Sequence, residues 1–285
     1  MHSYIKILLT MVLAAAIGLI GSQALDEQGQ HYTNESLKRS LITFGVARSL
    51  NGVISVAQGT EIALQPAGVG LTFAPGQILD PLNDLVERFS WVMLMSSASI
   101  GIQKTLLVIS AWPLFSGASI VLALAASAAL WTPALQTAPL RTILLKCAFV
   151  VIILRLAVPL IAVANELIYQ EFLAPQYQEA TQQLQQTRER IGQINDSTLS
   201  QTPSSHANQS LWDSAQQFYT SATESIDIEA KLDQYGAAAA DASEYLINLI
   251  VVFMFQTVIF PLAFLAAIYV GVKNLVRLKI RRPVD

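Results

Sequence analysis

Long apolar runs dominate the pattern along the chain, in place of the short periodic stretches of a soluble core. Residues 105–131 and 246–272 carry no charged side chain, and 143–164 carry only Lys146 and Arg155. A bilayer core about 30 Å thick is crossed by about 20 helical residues, so each run is long enough to span. Helix is the expected conformation, because a lone strand leaves its backbone groups unbonded in lipid. A fourth run, 7–25, follows Lys6. It reads either as a secretory signal, with Ser22-Gln23-Ala24 as its small-residue site, or as an uncleaved anchor, and we take the anchor.

Between these runs the pattern changes twice. Residues 26–35 are polar and are expected to be irregular. Leu37, Leu41, Phe44 and Ala47 then recur at helical spacing over 36–50. Short β-rich segments follow at 53–57, 60–64 and 69–73, separated by Gln58-Gly59, Pro66-Ala67-Gly68 and Pro75-Gly76. Those separators are turn chemistry and predict a small antiparallel meander. Asp80-Pro81 restarts a helix, with Asp84 and Glu87 near the positive end of its dipole. Residues 89–103 are shorter than a crossing requires and predict a helix on or dipping into the outer face.

The second polar region has two arms. In 166–194, Tyr177, Leu184 and Ile191 fall seven apart, a weak heptad, and Pro175 is expected to interrupt it. In 210–244, Leu211, Ala215, Phe218, Ala222, Ile226 and Leu232 share one broad face. The two arms, joined by the polar 195–208, predict an antiparallel helical hairpin with Tyr177, Leu184, Ile191 and Phe218 in its seam.

Basic residues orient the whole. The tail carries Lys273, Arg277, Lys279, Arg281 and Arg282 against Asp285 alone, and Arg141 lies between two apolar runs. Residues 167–244 carry Arg188, Arg190 and Lys231 against eleven acids. The positive-inside bias makes both termini cytoplasmic and the acidic segment extracytoplasmic. The expected fold is an integral membrane, mainly α-helical chain with four transmembrane helices. In order it has an anchor (1–25), an extracytoplasmic α+β unit ending in the membrane-surface helix (26–104), a crossing (105–131) and a cytoplasmic link (132–142). A second crossing (143–165), an extracytoplasmic hairpin stalk (166–245), a last crossing (246–272) and a basic cytoplasmic tail (273–285) complete it.

Composition supports the membrane reading and excludes much else. Of the 285 residues, 53% are hydrophobic and only 13% charged, against about 25% charged in soluble domains. A net charge of −3 is too mild to imply nucleic acid. Cys147 is the single cysteine, which excludes an intrachain disulfide. His2, His31 and His206 have no partner at metal-ligand spacing, the GVG at 68–70 has no P-loop lysine after it, and no serine sits in a G-x-S-x-G setting. No catalytic centre, cofactor site or metal site is therefore assigned. Small residues recur every four positions at Ser119, Ala123 and Ser127 and at Ala14 and Gly18, a helix-packing pattern.

The one unusual intramembrane side chain is Arg155. It lies 14 residues beyond Arg141, roughly 21 Å along a helix. It either lines a polar site or snorkels outward, toward headgroups or Glu244. Pro159 and Pro261 each remove a backbone donor, from the carbonyls of Arg155 and Thr257, and Pro113 is a third candidate kink. Arg155, Gln256 and Thr257 therefore form the candidate intramembrane polar site. Two functions follow. One is a non-enzymatic component of a bacterial inner membrane whose stalk binds another membrane or periplasmic protein, or a second copy. The other is a channel or transporter subunit built on Arg155. A membrane enzyme ranks third, for want of a catalytic cluster.

The topology has a direct test. In a Cys147→Ala background, Ser205→Cys is expected to react with an impermeant maleimide from outside the cytoplasmic membrane, and Val284→Cys only after lysis. Labelling of both from one side contradicts the four-crossing reading.

Overall fold

The computed structural model describes residues 3–60, 62–64, 71–73, 75–132, 139–199 and 211–277. They are almost entirely helical. α1 (Ser3–Ser22) and α2 (Ala24–Gln58) come first, then the strands β1 (Ile62–Leu64) and β2 (Leu71–Phe73), a 3₁₀ turn (Pro75–Leu79) and α3 (Asp80–Ser110). α4 (Pro113–Trp131) and α5 (Pro139–Ile168) follow. A π turn (Tyr169–Leu173) leads into α6 (Ala174–Leu199), and α7 (Leu211–Met254) passes through a second π turn (Phe255–Ile259) into α8 (Phe260–Arg277). Among the described residues, six helical stretches are long and apolar enough to cross a membrane, by length and composition.

The helix ends have local causes. Gln23 sits at φ 54°, a left-handed conformation unfavourable for a side-chain-bearing residue, and it separates α1 from α2. Trp112 is extended, with φ −57° and ψ 133°, and Pro113 takes the first helical position of α4. Proline disfavours helical geometry in the residue before it, so the chain breaks at 111–112. Residues 105–131 are accordingly two helices where one crossing is expected. α3 runs unbroken through 89–103 to Ser110, so no separate surface helix exists there.

The chain divides into two compact units. The first comprises Met1–Arg39, Ser96–Phe172 and Met254–Asp285, and the second Ser40–Met95 and Leu173–Phe253. In the first unit α4 packs on α1 and α5, and α8 packs on α5. Leu13, Ala16, Ala123, Ala126, Leu145 and Ala148 form its apolar core. Ser119 and Ala123 are buried, as close helix packing requires, whereas Ala14 and Gly18 face outward.

The second unit is a bundle of four helical segments. Ala47, Leu50 and Ile54 of α2, Leu82, Val86 and Phe89 of α3, Leu184 and Ile191 of α6, and Tyr235, Ala242 and Leu249 of α7 share one core. The expected stalk is thus not a free-standing hairpin: α6 and α7 bury their seam against α2 and α3. The physical reason is α6 itself, whose buried positions Ala180, Leu184, Thr187, Ile191 and Ile194 need apolar partners that a single arm cannot supply. Tyr177 stacks edge-on against Phe253 and hydrogen-bonds Thr43. Phe218 lies in α7, among side chains outside the described ones.

The expected α+β unit shrinks to a ribbon. β1 pairs with β2 antiparallel, Ile62 opposite Phe73. Residues 53–57 are helical and close α2, and 26–35, expected to be irregular, open it. Gly76 explains the tight return of the chain: a Cβ there would stand 2.0 Å from the carbonyl oxygen of Ala57, so only glycine allows the approach.

α2 also corrects the expected helix face. Its buried positions are Asp26, Gly29, Thr33, Ser36, Ser40 and Thr43, continuing as Ala47, Leu50, Ile54 and Ala57. That is a heptad spacing of threes and fours sustained over the helix. Leu41, placed inside by its hydrophobicity, is 53% exposed.

Leu184 tests the bundle. Leu184→Asp places a charge in a fully buried apolar seam and is expected to cost about 3–5 kcal/mol. Gln182→Asp, on an exposed position of the same helix, is expected to leave the thermal midpoint in detergent nearly unchanged. Equal effects would contradict the seam.

Candidate functional site

The first unit has a polar interior. Its centre is Arg155, projecting from the middle of α5 and only 1% exposed. The guanidinium makes a bidentate ion pair with Asp26 at the start of α2, Nη1 to Oδ1 at 2.9 Å and Nη2 to Oδ2 at 2.5 Å. Its Nε donates to Ser116 Oγ at 3.0 Å. Two parallel N–H···O bonds to one carboxylate are the strongest arrangement open to a guanidinium. Asp26 sits in the first turn of α2, where the helix dipole favours an anion.

Arg155 therefore neither snorkels nor pairs with Glu244 or Gln256. Its partner stands in a segment that reads from sequence as an irregular polar linker. The proline reading, by contrast, finds its donors. The carbonyl of Arg155, deprived of a helical donor by Pro159, accepts from Ser110 Oγ at 2.8 Å. Pro261 acts at the second π turn. An α-helical bond would join its nitrogen to the Thr257 carbonyl and a π bond to that of Gln256, and proline has no N–H for either. Ser99 Oγ donates to the Thr257 carbonyl at 3.1 Å, and Asn165 Nδ2 donates to the Gln256 carbonyl at 3.0 Å. Pro113 stands at a true break, while Pro159 lies inside a continuous α5.

A second polar group surrounds Gln256 and Thr257, both buried. Gln256 Nε2 donates to Ser36 Oγ at 2.7 Å, and the hydroxyls of Thr257 and Ser96 are 3.4 Å apart. Beside it, Arg39 forms a second bidentate pair with Glu166, at 3.2 and 2.7 Å. The Arg39 guanidinium also lies 3.7 Å from the ring centroid of Tyr169, within cation–π range. Gln256 and Thr257 thus share one layer, and Arg155 belongs to another.

The two ion pairs have opposite polarity. α2 supplies the acid at Asp26 and the base at Arg39, and α5 the base at Arg155 and the acid at Glu166. Thirteen residues on one helix and eleven on the other are roughly 20 and 16 Å, so both pairs close only when α2 and α5 run parallel in this register. Reversing one helix would oppose Asp26 to Glu166 and Arg39 to Arg155.

Gly29 lets the helices meet between these layers. A Cβ at that position would approach Leu107 Cδ2 of α3 to 3.3 Å and Ala162 Cβ of α5 to 3.5 Å. Among the described residues no group of three or more His, Cys, Asp or Glu stands in a position to hold a metal ion. No protein-family model matches the chain, and neither a curated protein nor a solved structure matches it. The class defined by fold and site is a mainly α-helical protein with membrane-length apolar helices and a charged, mutually neutralised interior.

The pairing yields a double-mutant cycle. Arg155→Leu strands the buried Asp26 carboxylate and is expected to cost about 3–5 kcal/mol. Asp26→Leu combined with Arg155→Leu is expected to recover most of that loss in thermal unfolding in detergent. Arg155→Leu with Gln256→Leu should be additive to within about 0.5 kcal/mol, because the layers are well separated. Recovery by Gln256→Leu in place of Asp26→Leu would reverse the assignment of partner.

Proposed function

We propose that the protein is a non-enzymatic, multi-pass component of a bacterial inner membrane whose helices bind another membrane or periplasmic protein, or a second copy of the chain. The observation that carries this reading is the outer face of α2 in the first unit. Between Asp26 and Arg39, the two ends tied to α5, that face exposes Glu27, Gln28, His31, Asn34 and Lys38. Its neighbours in the same unit expose Ile102, Leu106 and Ile109 of α3, Leu160 of α5 and Leu262 of α8. Apolar exteriors around a polar interior suit lipid on those sides. A face bearing Glu27 and Lys38 does not, since charged side chains in mid-membrane face protein or water. A polar protein surface is the cover that lets all four helices share one bilayer.

In this reading the amino and carboxyl ends are cytoplasmic, as the basic tail requires. The four crossings are α1 with the first turns of α2, the α3–α4 pair, α5, and the α7–α8 pair. The paired helices stand where single uninterrupted crossings are expected from the sequence. A second reading, a channel or transporter subunit, draws on the same face. If water and not protein covers Glu27–Lys38, the polar stripe lines a path beside the Gln256 and Arg155 layers.

One substitution separates the two. Asn34→Cys in a Cys147→Ala background, treated with a short bifunctional thiol or photo-crosslinker in native membranes, is expected to give a discrete adduct and slow maleimide labelling. An adduct of twice the mass identifies a second copy. Rapid labelling by a small water-soluble maleimide with no adduct would favour the water-lined path and remove the support for the binding role.

A further inference from the structure

The polar interior of the first unit contains a small cavity that neither ion pair fills. It lies between α2, α3 and α5, offers ≈ 10 Å³, and is lined by Thr33, Ser36, Ile100, Gln103, Ala162 and Asn165, among others. A space of this order is where one water begins to fit. Two of its walls carry unmet hydrogen-bonding capacity of opposite kinds. Asn165 is buried, and its Oδ1 has no hydrogen-bond partner. Its amide cannot be turned to remedy this, because Nδ2 is engaged with the carbonyl of Gln256. Ser36 Oγ accepts twice, from Arg39 Nη2 at 3.0 Å and from Gln256 Nε2 at 2.7 Å. With both lone pairs taken, its own O–H has only the cavity to point into.

We infer that this cavity is a binding site for a single water molecule that accepts from Ser36 and donates to Asn165 Oδ1. Water is the smallest ligand that is donor and acceptor at once, and the site presents one need of each kind. Thr33 Oγ1, which donates to the Gly29 carbonyl at 2.7 Å, keeps a lone pair for the second water hydrogen, and the Gln103 amide supplies a further polar wall. Three or four partners are what a buried water ordinarily takes. A monovalent cation of similar size fits less well. It would meet the oxygen of Asn165 but oppose the outward-pointing proton of Ser36, and no carboxylate lines the cavity to neutralise it. An apolar occupant would leave both groups unpaired. The water ties Ser36 of α2 to Asn165 of α5 beside the Arg39–Glu166 pair.

The inference is tested on the full chain in detergent by radiolytic hydroxyl labelling, in which a bound water oxidises the side chains beside it. Ile100 lines the cavity and Leu145 lies in the apolar core of the same unit, and each is 3% exposed. Ile100 is expected to be oxidised severalfold faster than Leu145. Ala162→Val, which fills the cavity, should bring Ile100 down to the rate of Leu145. Equal, slow rates at the two positions in the unsubstituted chain would overturn the proposal, and that measurement does not depend on how the variant folds. A thermal midpoint raised by sodium over choline at equal ionic strength would overturn it too, by identifying the occupant as a cation.

Discussion

A guanidinium buried as deeply as that of Arg155 exists only where a carboxylate meets it, and much of the first unit is arranged around that meeting. Two breaks in the helical backbone and one missing helical hydrogen bond converge there. The left-handed Gln23 ends α1 and lets α2 begin just before Asp26. The break before Pro113 brings Ser110 and Ser116, from two different helices, to one residue, Arg155. Pro159 opens the carbonyl that Ser110 closes. Each interruption taken alone weakens a helix, and together they supply the full set of partners that a buried arginine needs.

A buried ion pair is weak evidence for stability, since desolvation offsets much of the attraction. Its value here lies in what it forbids. With the polarity of Arg39–Glu166 opposite to that of Asp26–Arg155, a reversed α2 would bring like charges together and a slipped one would leave its charges buried and unpaired, in a medium that screens them poorly. An apolar seam tolerates a shift of one heptad, and this one does not. The small and polar positions Gly29, Thr33 and Ser36 between the pairs keep the helices close and leave the exposed surface of their neighbours to the apolar residues.

The long helices were legible because apolar runs of bilayer length have few other readings. The buried polar seam is not legible in the same way, because hydrophobicity marks a different face of α2 as the inside. It selects Leu37, Leu41, Phe44 and Ala47, and the chain buries Ser36, Ser40 and Thr43 with Ala47. The signal present in the sequence was spacing without hydrophobicity: 26, 29, 33, 36, 40 and 43 keep the same three–four rhythm as 47, 50, 54 and 57. The prolines were more informative. Pro159 and Pro261 identified the two carbonyls that require outside donors, though the donors themselves, Ser110 and Ser99, are ordinary serines that nothing in a single sequence distinguishes. Residues 53–57 read as a strand because Val-Ile-Ser-Val is β-rich locally, and tertiary burial of Ile54 and Ala57 overrides that preference.

The second π turn bears on the order in which the molecule can be made. The bend at Phe255–Ile259 is held by Ser96, Ser99 and Asn165, all from earlier helices. The ribosome delivers those residues first, at about 5–20 residues per second, so Ser99 and Asn165 precede Gln256 and Thr257 by several seconds. The last helix thus enters a bundle that already carries the donors for its two unfilled carbonyls. Its shape is templated by the chain made before it, and a copy assembled in the opposite order would meet the bilayer with both carbonyls bare.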